Sequence, residues 1–265
     1  MDVTEQGMMN SLLENLRPAL QGRYPLIGLV TPEEERAMEA LRTLAAEQRA
    51  ELRGWSCAGG WENDPPESAL RDPAAALRAL RDAPRAGFHV MKDAHPFLNR
   101  PDVVRLLRET RAAFAAVPGA HLFLLSPQLE APEDLAKELF LVRLPLPSPE
   151  EMAAEIERVN RDYPEAVLSD DLRSALALAL RGLTLREAHH VMHAVFAGGA
   201  LDEAHALDRV FAAKEALMRR EGFLRYVPRS LSLDAVGGLE VLREWAMKRR
   251  DLFTRAAFDA GLPVP

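Results

Sequence analysis

Tyr24–Leu41 reads YPLIGLVTPEEERAMEAL, and the switch in hydrophobic period inside it decides the fold. Pro25–Val30 (PLIGLV) is a continuous apolar run of strand length. From Glu33 onward the apolar residues Ala37, Leu41, Leu44 and Ala45 recur at helical spacing, which predicts a helix over Glu33–Arg49. Between the two lies Thr31-Pro32-Glu33-Glu34. It fits the S/T-x-x-E capping pattern, with proline in the first turn, so the expectation is a self-capped helix start.

The same alternation continues downstream. Glu51–Ser56, Gly87–Met91, His121–Leu125 and Leu139–Leu144 are further strand candidates, and Glu67–Asp82 and Asp102–Ala116 are helical. Strands separated by helices of this length read as crossover units. They imply a parallel sheet with both faces covered, which is why the runs are apolar throughout instead of alternating.

After Pro147 the strands stop. Four successive helical stretches begin at Ser148, Ser169, Thr184 and Leu201. Ser148-Pro149-Glu150-Glu151 and Thr184-Leu185-Arg186-Glu187 are capping boxes, and Gly182, Gly198–Gly199 and Gly222 fall at helix stops. The expected division is an α/β domain over 1–147, a helical domain over 148–225, and a linker with one helix over 226–265.

Composition narrows the class. The 265 residues are 48% hydrophobic and 28% charged, as in a globular protein with a real core. A formal charge of -7 speaks against nucleic acid as the main partner. Cys57 is the only cysteine, which excludes an intramolecular disulfide and a multi-cysteine zinc site and fits a reducing cytoplasm. No apolar run approaches the roughly 18–20 residues of a membrane span. The N-terminal residues carry acids where a signal peptide carries basic residues, so the expected location is the cytoplasm.

Three blocks point further. They are Tyr24–Leu41, Phe88–Glu109 (FHVMKDAHPFLNRPDVVRLLRE) and Leu233–Phe253 (LDAVGGLEVLREWAMKRRDLF). Together with Gly182–Val191 (GLTLREAHHV) they resemble the N-terminal half of a bacterial and plastid AAA ATPase family first described as hypothetical chloroplast reading frames. The resemblance spans nearly the whole chain. It implies a degenerate AAA+-like parallel sheet with flanking helices, followed by an all-α lid-type bundle. Full-length members resemble two tandem AAA-like units, of which the second carries the ATPase motifs. The expectation is that this sequence holds the first unit and the entry to the second, stopping before a G-x-x-x-x-G-K-[ST] loop.

A phosphate loop needs glycines, free N–H groups and a lysine at the first strand-to-helix turn. Here Pro32 removes a donor, no glycine or lysine lies between Thr31 and Ala50, and Glu33, Glu34 and Glu35 hold the helix start. Carboxylates there suit the helix dipole and repel a triphosphate. The resemblance puts Asp93 where a metal-associated Asp stands and Ser126 where a polar sensor residue stands. Lys92 interrupts the preceding apolar run and Ala94 replaces the expected catalytic Glu. Asp93 is therefore read as a strand-end carboxylate paired locally with Lys92 or an arginine, and Ser126 as turn chemistry before Pro127. No catalytic residue and no metal site are expected.

His189 and His193 have metal-pair spacing, but the zincin pattern needs Glu where His190 stands, so all three are read as surface or packing residues of a lid helix. His95 is read as hydrogen-bonding its own turn. Trp55, Trp61 and the stretch SCAGGWENDPPE suggest an exposed loop that either grips a partner or anchors against the sheet edge. Arg219, Arg220, Arg225 and Arg229, with Lys248, Arg249 and Arg250, are read as solvated helix faces; an inter-subunit or anionic-partner surface is the competing reading. In related AAA modules the backbone before the Gly237–Gly238 turn lies beside adenine. Val236 and Gly237 would thus contact ATP only together with a downstream phosphate loop.

The resulting expectation is a non-catalytic AAA-like region with no cofactor of its own, ATP and Mg belonging to the complete family member. Its expected partner is the downstream catalytic domain, with a homo-oligomer or another protein as further possibilities. The alternatives are a stand-alone interaction module, or an ATPase half completed in trans with arginines near Arg219 or Arg249 acting as fingers.

Overall fold

In the computed structural model, residues 14–65, 70–197, 203–218 and 239–249 are described. Six strands form one sheet: β1 (Leu26–Val30), β2 (Leu52–Ser56), β3 (Gly60–Trp61), β4 (Gly87–Lys92), β5 (Ala120–Ser126) and β6 (Phe140–Arg143). Their spatial order is β3-β2-β4-β5-β1-β6, parallel throughout except for β3, which pairs antiparallel with β2. All five strands expected from the sequence are present within a residue or so of their bounds.

Helices cover both faces. α1 (residues 14–21) and α2 (Glu34–Glu47) pack on one side; α3 (Pro73–Asp82) and α4 (Pro101–Ala115) pack on the other. A short α5 (Glu133–Ala136) precedes β6. Strand residues divide strictly by parity. Leu122 and Leu124 face α3 and α4, whereas Phe123 and Leu125 face α1 and α2. Successive strand side chains point to opposite faces, so a sheet covered on both sides needs apolar residues at every position.

One part of the strand-rich half differs from the sequence reading, and another chooses between its two alternatives. The stretch after β2 is exposed at Cys57–Gly59 but anchors against the sheet edge. It turns back as a hairpin, Trp55 pairs with Trp61 across it, and both indoles are buried. Trp55 donates its Nε1–H to the Leu70 carbonyl at 2.6 Å, and the Arg53 guanidinium lies over the Trp61 ring. Bulk and aromatic character favour an edge-strand anchor here over a loop tip. The helix expected from Glu67 begins at Pro73, with Asp72 accepting from the Ala75 N–H.

The helical region holds α6 (Pro149–Asn160), α7 (Asp170–Ala179), α8 (Leu185–Phe196) and α9 (Glu203–Met218). Both capping boxes form: Ser148 with Glu151 at the start of α6, Thr184 with Glu187 at the start of α8. Gly182 takes φ +89 in the turn between α7 and α8, a conformation that costs glycine little. The chain divides into two compact units. The first runs through Phe211 and includes sheet and bundle; the second begins at Ala212 and contains α10 (Glu240–Arg249). Among the described residues, no helix is long and apolar enough to cross a membrane.

Candidate functional site

Ligands of open α/β sheets bind outside the carboxyl ends of the strands. Here those ends are β1, β4 and β5, laced together by backbone hydrogen bonds. Thr31 N–H donates to the Ser126 carbonyl at 3.0 Å, and Asp93 N–H to the Leu125 carbonyl at 2.9 Å. The turn from β1 into α2 sits over this edge.

That turn carries a carboxylate. Glu33 is the N-cap residue of α2, and the capping box expected at Thr31-Pro32-Glu33-Glu34 does not form. Thr31 Oγ1 instead accepts from the Glu33 N–H at 3.1 Å, two residues on. That local bond turns the chain at Pro32 and leaves the Glu33 side chain free to reach outward. Glu33 Oε1 accepts from the N–H of Leu185, the first residue of α8, at 2.7 Å. Its other oxygen accepts from Arg36 Nη1 at 2.8 Å. One residue at the head of α2 therefore caps the head of α8, 152 residues away. The first N–H groups of a helix have no partner within it, and a negative group there also meets the positive end of the dipole.

Arg36 completes the network. Its Nε and Nη2 donate to the two oxygens of Glu151 at 2.7 and 2.8 Å, and Nη1 donates to the Pro145 carbonyl at 2.7 Å. Glu151 is also the carboxylate of the α6 capping box, accepting from the Ser148 N–H. Glu33, Arg36 and Glu151 are each under 10% exposed. A buried charge needs a partner, and a flat guanidinium suits two carboxylates at once.

The turn offers Pro32 without a donor, and Glu33 directs a buried carboxylate there. Lys92, at the end of β4, is turned toward Glu34 and Glu62 at 3.3 and 3.7 Å. Asp93 is not paired with Lys92 or an arginine. It is exposed at φ +50, and no ion pair reaches it among the described residues. Ser126 is the last residue of β5, not a turn residue; it is buried, and its Oγ has no hydrogen-bond partner among the described residues. His95 opens a short 3-10 turn, but only its backbone carbonyl holds that turn, accepting from Leu98 N–H at 3.2 Å. The His95 ring Nδ1 has no hydrogen-bond partner among the described residues.

The lid-helix histidines form a second polar cluster, between α6 and α8. His189 Nδ1 lies 2.8 Å from the buried Glu155 carboxylate, which also takes both forks of Arg158. His193 Nδ1 shares a hydrogen bond with the Tyr163 hydroxyl at 3.1 Å, and the His189 and His193 rings are 4.5 Å apart. These are packing contacts of the bundle. Among the described residues, no group of three His, Cys, Asp or Glu could hold a metal ion.

Val236, Gly237, Arg219, Arg220, Arg225, Arg229 and Arg250 lie outside the described residues. Lys248 pairs with Glu244 at 2.6 Å, and Arg249 stacks over Trp245 at 4.1 Å, both within α10.

Arg36 escaped the sequence reading, although a signal was present. It stands four residues before Ala40 and eight before Leu44, on the apolar stripe of α2. A charge on such a stripe requires a buried counter-charge, but sequence alone does not say which carboxylate supplies it.

Comparison with known proteins matches two family domains along the chain. Residues 12–144 match the model of the SpoVK-like AAA ATPase N-terminal domain, and residues 150–221 match that of the SpoVK-like AAA ATPase second domain. The uncharacterized AAA domain-containing protein ycf46 of Pyropia yezoensis is 26% identical over 257 residues, covering 95% of this chain and 52% of that protein. The protein of the same description from Guillardia theta is 26% identical over 262 residues, covering 96% and 51%. The chain thus spans about half the length of the curated relatives it matches. Among solved structures, the FIGL-1 AAA domain superposes with a TM-score of 0.49 at 12% identity, covering 86% of this chain and 88% of that one. C. elegans PCH-2 does so with a TM-score of 0.49 at 11% identity, covering 79% and 67%.

Proposed function

Because this chain belongs to the SpoVK-like AAA ATPase family, we propose that its sheet and bundle are a non-catalytic AAA-like region, which assists recognition, assembly or regulation of an ATP-hydrolysing unit. The observation that carries this reading is Glu33. It directs a buried, ion-paired carboxylate to the turn where a phosphate loop would offer backbone N–H groups and a lysine. Lys92 is engaged by two glutamates, and Ala94 offers no carboxylate to activate water. A triphosphate would have to displace Glu33 from both Arg36 and Leu185 without any compensating donor.

ATP and Mg belong, on this reading, to a catalytic unit of the complete protein, with Val236 and Gly237 joining that unit's adenine contacts. The partner is that catalytic domain, in a cytoplasmic assembly. Calorimetric titration of the 265-residue chain with ATP, with and without magnesium, tests the proposal. No heat of binding up to millimolar nucleotide is expected. Magnesium-dependent micromolar binding would overturn it.

A further inference from the structure

We propose that the outer edge of β6 is a docking site for an extended segment of another protein. The segment adds to the sheet as a further strand, with an apolar residue beside Leu141 and an acidic residue beside Arg143. The two ends of the sheet differ. β3 closes one end after only Gly60 and Trp61, too short a template for another chain. β6 closes the other with four residues, in register with β1 from Ile27↔Phe140 to Val30↔Arg143 without a bulge, and Pro145 comes only after the strand.

The backbone of β6 is half used. Leu144 N–H donates to the Val30 carbonyl at 3.1 Å, and bonding residues alternate along a parallel ladder. Phe140 and Val142 therefore bond to β1, while the N–H and C=O of Leu141 and of Arg143 point out of the sheet. Among the described residues no hydrogen bond reaches those four groups. Unpaired groups on a regular edge are the template that strand addition uses.

Side chains say what the added strand carries. Among the described residues of the first unit, the well-exposed large apolar side chains are Tyr24, Leu141, Leu146, Val167 and Leu178. The first three gather here, at 42%, 41% and 47% exposure, and the Tyr24 ring lies 4.5 Å from that of Phe140. Gathered apolar side chains mark an interaction surface, whereas scattered ones do not. Val142 is buried on the α1 and α2 side and Phe140 packs there too, so Leu141 and Arg143 share the opposite face. Arg143 is exposed and makes no ion pair among the described residues. Phe140–Arg143 contains no carboxylate, so pairing β6 with a second copy of itself would leave that charge unanswered in any register. A partner strand with an acid there answers it. Docking of this kind requires no nucleotide at the strand ends.

Hydrogen exchange at single amides of the 265-residue chain tests this, with an N-acetylated peptide of alternating valine and glutamate as the probe. At millimolar peptide, exchange of the Leu141 and Arg143 amides should slow at least about tenfold, while the Val142 amide, already bonded to β1, stays within about twofold. A peptide with lysine in place of glutamate should bind at least about fivefold more weakly, and Arg143→Glu should reverse that preference. N-methylation of alternate peptide residues removes the pairing donors and should abolish the effect. No slowing with the valine–glutamate peptide would overturn the proposal, as would equal slowing at Leu141, Val142 and Arg143 or by the N-methylated peptide. A peptide-free dimer in sedimentation, with the Leu141 and Arg143 amides already protected, would give the edge to a second copy and overturn it too. Should Arg143→Glu fail to fold, the lysine peptide on the unaltered chain decides the charge preference.

Discussion

Arg36 and Glu151 lie 115 residues apart in sequence and meet in a two-pronged ion pair, Nε to Oε1 at 2.7 Å and Nη2 to Oε2 at 2.8 Å. One is on the second helix of an α/β sheet domain and the other opens the first helix of a bundle. Their meeting, with Glu33 beside them, lies at the first turn of α2, just after β1.

Removing the cation should cost more than removing the whole network. Arg36→Met leaves two buried carboxylates unpaired, with an expected loss of about 3–5 kcal/mol. The triple variant Glu33→Gln, Arg36→Met, Glu151→Met leaves no charge behind and should recover most of that loss. Urea denaturation midpoints of the two proteins check the order; a triple variant less stable than the single one would contradict it.

The caps of α6 and α8 are measurable on their own. Ser148→Ala removes the acceptor for the Glu151 N–H, and Thr184→Ala that for the Glu187 N–H. Each should cost about 1 kcal/mol, seen as a lower denaturation midpoint with an unchanged slope.

Two glycines of the sheet should resist alanine for different reasons. At Gly28 a Cβ would lie 2.5 Å from Leu129 Cδ2 and 3.0 Å from Leu141 Cδ1, so Gly28→Ala overpacks the core by about 1–3 kcal/mol. At Gly87 the backbone has φ +139 and the Glu51 carbonyl would be 2.9 Å away. Gly87→Ala should cost a similar amount, about 1–3 kcal/mol, through backbone strain that side-chain repacking cannot relieve. Thermal melts compared with a surface Ala control measure both.

Stability should fall as pH drops from 7 toward 5. Burial holds the imidazoles of His89 and His121 below their ordinary value, partly offset by hydrogen bonds to the Arg85 and Tyr24 carbonyls. In the unfolded chain both titrate near pH 6.5, so below that the unfolded state takes up protons that the folded state refuses. Their contribution is complete above about pH 6.5 and is lost as pH falls through the lower folded values. His89→Phe, facing Trp61 and Phe114, should flatten the slope in denaturation measured across this range. An equal slope in the variant would assign the effect elsewhere.

The element order was legible because each signal is local. Apolar runs of strand length, the helical period after Glu33, and the serine and threonine starts of α6 and α8 need only neighbours along the chain. Local patterns misread Thr31 and left the tryptophan hairpin undecided for a common reason. A hydroxyl can cap a helix or bond two residues on, and Trp61 can sit at a loop tip or under a sheet edge; distant packing chooses between these.

The sequence by itself determined that the β1–α2 turn lacks the glycines and lysine of a phosphate loop, since the absence of a side chain or a donor does not depend on folding. Only the tertiary structure decided what stands there instead. Charges act through space, and a buried guanidinium takes whichever carboxylates the fold brings within about 3 Å of it. Sheet and bundle deliver Glu33 and Glu151 to Arg36, joining the region with charge where its two apolar interiors stop short.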